Sequence, residues 1–248
     1  MTAMIIDAHV HVGVSTAYNF SASIDDLLRL ADDNGIDKLF VTDFTALIHD
    51  MREGNDTLGR SIRQHPDRIL GYVSIPTMNF DNGALEEIDR CVHEYGMRGI
   101  KIYSYPKIPL VRPSVFPVLE RAASHRMPIL AHSTAEECEE MASRVPEAFL
   151  MMAHSGNTAL ARGDWMRAVQ AAERNPSLLL ETASSAVNNG SLEYTISRIG
   201  PERIIFGTDM PLLEVSVQMA RVSGAAISQA DKDLIFGGNM ARMLALSD

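Results

Sequence analysis

The sequence predicts a single (β/α)8 barrel, a TIM barrel of the α/β class spanning residues 1–248, and three observations predict it. Short apolar runs of strand length alternate with longer amphipathic stretches along the whole chain. Eight such units occur, and about 250 residues is the usual size of this barrel. No Pro-, Gly- or Ser-rich linker, low-complexity tract or charge block divides them.

The elements follow in order. The first strand is expected at Met4–Ala8, the head of the run Met4-Ile-Ile-Asp-Ala-His-Val-His-Val12. A helix over Ile24–Asn34 has Ser23 as its N-cap. Strands are expected at Lys38–Thr42 and Ile69–Ile75, and the turn Asp81-Asn-Gly83 then leads into a helix over Ala84–Tyr95. Gly99–Tyr103 reads as the fourth strand, with Pro113 opening a helix over Ser114–His125. Pro128–His132 is the fifth, and Thr134 caps a helix over Ala135–Val145. Phe149–His154 precedes the helix Asp164–Asn175; Leu178–Thr182 precedes Leu192–Ile199. Arg203–Thr208 is the eighth strand, before a C-terminal helical region, Ala230–Ala245, with Gly237-Gly238 as a break inside it. Strand then helix, repeated, implies parallel strands joined by right-handed crossovers. An open doubly wound sheet is the alternative. It has less support, because no GxGxxG turn follows the first strand and no GxxxxGK[ST] occurs.

Composition narrows the partners. The 22 Lys plus Arg against 32 Asp plus Glu give a net charge of −10, which repels nucleic acid and anionic membrane surfaces. No segment approaches the roughly 18 apolar residues of a membrane span, and no signal-peptide pattern opens the chain. Cys91 and Cys138 stand apart with no CxxC spacing, so free thiols in a reducing compartment are expected. The expectation is a soluble cytoplasmic protein with a small-molecule substrate, compatible with a homo-oligomer.

The polar residues fall at strand ends. His9 and His11 point the same way, because strand side chains alternate with period 2. His132, His154 and Asp209 each end an apolar run, in Pro128-Ile-Leu-Ala-His132, Leu150-Met-Met-Ala-His154 and Gly207-Thr-Asp209. In a barrel those ends converge on one face. Several imidazoles and a carboxylate suit Zn²⁺, and also Mn²⁺, Fe²⁺, Co²⁺ or Ni²⁺. Water on such an ion has its pKa lowered toward about 7.

These motifs, with Ile235-Phe-Gly-Gly-Asn239-Met-Ala-Arg242-Met-Leu244 at the end of the chain, resemble the amidohydrolase superfamily. The likeness is to its amidohydrolase-related branch, which includes aminocarboxymuconate-semialdehyde decarboxylase and aromatic-acid decarboxylases. The resemblance implies that His9, His11 and His132 are metal ligands and that Asp209 is a ligand or the base that activates water. It gives His154 either a second metal or a substrate-polarising, proton-transferring role. Lys101, in Gly99-Ile-Lys-Ile-Tyr103, would bridge two metals when carboxylated or pair with a substrate carboxylate beside one metal. One zinc ion is the expectation.

Tyr103, Tyr105 and Arg112 are candidates for the pocket wall, with Lys101, Tyr103 and Arg112 expected to bind substrate. Plain readings stand beside these: Asp209 as a helix cap, the strand-end histidines as satisfied polar groups, and Met151-Met152 as core filling. Trp165 reads as pocket wall or packing. His49, His65, His93 and His125 read as surface. The expected activity is a hydrolase working through metal-activated water, with Asp209 and His154 catalytic. The alternative is a metal-dependent decarboxylase of an unsaturated or aromatic acid. A barrel that only binds has no physical need for five costly polar residues at one mouth.

Overall fold

The computed structural model describes residues 4–16, 18–103, 108–156, 164–186 and 188–246. Its strands are β1 (Ile6–Ser15), β2 (Phe20–Ala22), β3 (Lys38–Asp43), β4 (Ile69–Pro76), β5 (Gly99–Tyr103), β6 (Ile129–His132), β7 (Leu150–Met152), β8 (Leu178–Glu181) and β9 (Ile204–Ile205). They form one sheet in the order β2-β1-β3-β4-β5-β6-β7-β8-β9. Every neighbouring pair is parallel except β1 and β2, whose antiparallel register runs from Gly13↔Ala22 to Ser15↔Phe20. The sheet therefore has nine strands where eight were expected, because β1 continues past His11 and turns back as a hairpin arm. The two ends of the parallel series meet: Ala8 N donates to Phe206 O (3.0 Å), Asp209 N to His9 O (2.7 Å) and His11 N to Met210 O (2.8 Å).

Alternation along the strands sorts apolar side chains into two layers. Leu39, Val41, Ile69, Val73, Ile100 and Ile102 belong to the cluster packed under the helices. Phe40, Leu70, Tyr72, Leu130, Met151 and Ile205 form a second cluster on the opposite face, joined by Met240 and Leu244 from the C-terminal helix. Phe40 and Tyr72 stack there with ring centroids 3.7 Å apart. A Cβ on Gly99 would lie 2.5 Å from the Phe40 ring, so only glycine leaves room for that stack two residues below Lys101.

The helices keep their expected caps. Ser23 and Asp26 make a reciprocal capping box on Ile24–Asp33, and Thr134 caps Ala135–Arg144. Helices at Met51–Gln64 and Val215–Ser223 were not expected. Met51–Gln64 carries two glycines, which lower helix propensity. One of them, Gly54, is required by contact: a Cβ there would sit 2.2 Å from Ala46 N. The C-terminal region is one continuous helical run over 229–243, and at Leu234–Gly238, where a break was expected, it widens into a π turn. Among the described residues, no helix is long and apolar enough to cross a membrane.

Glu139 joins helix Ala135–Arg144 to Trp165–Arg174 through bonds from Arg167 and Arg174. The Arg174 and Arg167 guanidiniums pull its carboxyl down to about 2 from an ordinary 4.5. A depressed native value stabilises the fold above pH 4.5, and that contribution is lost as pH falls toward 2. Glu139→Gln is expected to cost about 1 kcal/mol at pH 7, the scale of a well-formed surface pair, and progressively less below pH 4.5. Chemical denaturation at pH 7 and pH 3 checks it; an equal loss at both would show that the pair is not responsible.

Candidate metal centre

β1 delivers the two histidines. The strand carries one extra residue between Asp7 and Val10 relative to β3, a bulge that re-aims side chains at the rim of the sheet. His9 and His11 are both buried, with Nε2 atoms 3.2 Å apart. Asp7, below them, accepts from His9 N (3.1 Å), Thr208 N (2.9 Å) and the Thr208 hydroxyl. These bonds fasten β1 to the segment that carries Asp209.

Asp209 Oδ1 lies 3.0 Å from His11 Nε2 and 3.5 Å from His9 Nε2. Its angles are not those of a hydrogen bond, and Oδ1 is buried without a hydrogen-bond partner. Burial pushes the Asp209 carboxyl up, but the close approach of His11 and the positive field of His154 and Lys101 outweigh it and leave the group below its ordinary value. His9 Nδ1 donates to Glu181 Oε2 at 3.0 Å, which in the neutral ring leaves Nε2 as a lone pair. Burial, then the Lys101 charge, hold His9 far below the usual imidazole range, in the neutral form that ligates metals. His9 Nε2, His11 Nε2 and Asp209 Oδ1 thus lie 3.0–3.5 Å from one another, close enough for one cation to engage all three. Donors about 2.1 Å from a tetrahedral ion are about 3.4 Å apart, so the set fits a divalent metal. A second group, His9, His154 and Glu181, also has its donor atoms within 4.8 Å of one another.

His154 follows β7 rather than ending it, in a tight turn over Ala153–Gly156. Its φ of 61°, with 47° at Ser155 and 60° at Asp209, places three non-glycine residues in the left-handed region. Such strain costs about 1–3 kcal/mol each and persists only where neighbours impose it. Here Glu181 Oε2 accepts from His154 N (2.9 Å), and Asp209 N is held by His9 O. His154 Nδ1 donates to Ala183 O (3.0 Å), and burial lowers the ring to about 4.

Lys101 is fully buried, with Nζ 2.9 Å from His9 Nε2; burial lowers it to about 8. His132 ends β6 beside these groups but is in neither metal-competent set; its ring lies 4.8 Å from that of His154 and 4.9 Å from that of Tyr103. The Tyr103 hydroxyl is 2.8 Å from that of Tyr18 on the β1–β2 arm. Arg112 is turned to Asp81 Oδ2 (2.8 Å) and Thr77 O (3.3 Å), and among the described residues no hydrogen bond joins it to the histidines. Tyr105 lies outside the described residues.

Sequence reasoning missed Glu181 and Asp7. Glu181 had a signal: it is the one charged residue of Leu178-Leu-Leu-Glu181 and ends its strand as the histidines end theirs. Burial raises it to about 8 and Asp7 to about 7, against the backbone N–H and hydroxyl groups that favour their ionised forms.

A family model described as Amidohydrolase matches residues 6–246. A protein of Dictyostelium discoideum named 2-amino-3-carboxymuconate-6-semialdehyde decarboxylase is 25% identical over an alignment of 235 positions that covers 77% of this chain and 65% of that protein, just under two thirds of its length. Gamma-resorcylate decarboxylase of Rhizobium sp. (strain MTP-10005) is 21% identical over an alignment of 292 positions, gaps included, that covers 90% of this chain and 87% of its own. The solved structure of a dihydroxybenzoic acid decarboxylase from Polaromonas sp. JS666, with bound manganese and the inhibitor 2-nitroresorcinol, shares the fold at a TM-score of 0.78. It is 18% identical, over 98% of this chain and 97% of that one. These relatives correct the expectation of a hydrolase: both curated proteins are named decarboxylases, the alternative reading. The donor set alone could not decide, because both reactions use the same ligand types.

Glu181 orients His9 through Nδ1, as carboxylates behind metal-bound imidazoles do. Glu181→Gln is therefore expected to weaken binding of manganese or zinc about tenfold with the fold retained. Competition against a chromophoric chelator, with circular dichroism as the fold check, measures it; unchanged affinity would remove Glu181 from the site.

Proposed function

The chain belongs to the amidohydrolase family, and on that premise we propose that it is a metal-dependent, non-oxidative decarboxylase of a small unsaturated or aromatic acid. The observation that carries this reading is the agreement of the two curated relatives, one of them aligned over 90% of this chain. The meeting of β1 with residues 206–210 is read as closure of an eightfold barrel, with the polar cluster at its mouth.

We assign His9, His11 and Asp209 as ligands of one divalent ion, with His132 as a fourth. Manganese is the first ion to test, since the Polaromonas enzyme holds it, and zinc the second. Bound there, the ion would act as a Lewis acid toward substrate oxygens. Lys101 supplies the buried cation for the substrate carboxylate. His154, with Nδ1 committed to Ala183 O, has Nε2 left to take up a proton and pass it to carbon. The bond to the carboxylate carbon breaks, its electron pair stays on the remaining carbon and accepts that proton, and carbon dioxide leaves. Tyr103 is assigned to the wall beside the ring of the substrate.

The manganese-loaded protein is expected to release carbon dioxide from an acid of this class, with 2,6-dihydroxybenzoate the first tried. In deuterium oxide the product carries one deuterium at the vacated carbon. Lys101→Met should raise KM about tenfold or more, the worth of a hydrogen bond to a charged group. Products carrying oxygen from ¹⁸O-water and no release of carbon dioxide across a panel of such acids would reject the reading.

A further inference from the structure

Apart from the metal centre, a cavity of about 230 Å³ lies among helices Trp165–Arg174, Ser191–Ile199 and Val215–Ser223 and the sheet. Its apolar wall includes Trp165, Val169, Leu192 and Ile204. It is smaller than the roughly 300–1,000 Å³ of drug-sized sites, so it suits a molecule of one ring.

Its polar side carries the Arg221 guanidinium and the Glu193 carboxylate. Arg221 lines it and donates to Thr182 O and to Gln218 Oε1 (3.0 Å), both neutral acceptors. Among the described residues, no carboxylate lies within 4.0 Å of this guanidinium; burial disfavours its charge, and Glu181, farther away, favours it. The first turn of Ser191–Ile199 lines the same cavity, and its N-cap, Gly190, provides no side-chain cap. An uncapped helix N-terminus and an unpaired guanidinium both favour an anion. The acidic residue on the rim, Glu193, is engaged as acceptor of Ala226 N at 2.8 Å.

We propose that this cavity is a second ligand site, for a small monocarboxylate with a flat apolar body. The carboxylate lies on Arg221 and the N-terminal turn of Ser191–Ile199, and the body lies against Trp165. Ser155 and Thr182 line the cavity too, so the ligand sits directly behind His154 and Glu181.

Trp165 is the one tryptophan of the chain, so its emission reads occupancy without any activity. Benzoate is expected to change that emission saturably, and benzamide, of the same shape without the charge, to bind about tenfold more weakly. Arg221→Met should abolish the preference for benzoate. Ala220→Leu, which narrows the cavity and leaves Arg221 in place, should weaken both ligands and decides the matter alone if the first variant does not fold. Equal affinities, no saturable change, or a benzoate response that neither substitution moves would overturn the proposal.

Discussion

The Glu181 carboxylate reaches three places at once: the ring of His9 on β1, the backbone of His154 after β7, and the backbone of Ala183 beyond its own strand. Through the first contact it sets which nitrogen of His9 carries the proton, and so which nitrogen faces the metal position. Through the second it holds a residue whose left-handed backbone would otherwise relax. A buried carboxylate is unfavourable without such donors, and here they come from segments that the sheet brings together. The candidate centre takes both the orientation of His9 and the backbone of His154 from this one carboxylate.

Below it the chain supplies an apolar floor. The Phe40–Tyr72 stack fills the space that Gly99 leaves, and the Tyr72 hydroxyl donates to Ala8 O at 2.9 Å, one residue before His9. Exclusion of water makes every charge above that floor costly, and the groups respond toward neutrality: His9 and His154 down, Lys101 down, Glu181 and Asp7 up. Asp209 is the exception, because the close approach of His11 and the charges available at His154 and Lys101 outweigh its burial. An ionised carboxylate beside neutral imidazoles presents deprotonated ligands, as binding of a divalent ion requires.

The donor types by themselves do not separate hydrolysis from decarboxylation. In the first, water is the nucleophile; in the second, the substrate's own carbon takes up a proton, and a cation near its carboxylate becomes useful. The position of Lys101, buried against His9, suits the second. The cavity at Arg221 shows the same pairing of positive charge with an apolar wall on the far side of Glu181.

By itself the sequence determined the repeating strand and helix order, the capped ends at Ser23 and Thr134, and the polar residues at the ends of apolar runs. These are local matters: period, propensity and punctuation act within a few residues. The family resemblance could likewise be read from the motifs of His9, His132, His154 and Asp209. Tertiary structure alone decided that Glu181 and Asp7 belong with the histidines, since each acquires its role from partners 172 and 201 residues away. It also decided that Arg112 turns to Asp81, that helix Met51–Gln64 forms despite its glycines, and that Trp165 lines a separate cavity. A side chain's charge and direction are local, but its partner, and the solvent it loses, exist only once distant segments have packed.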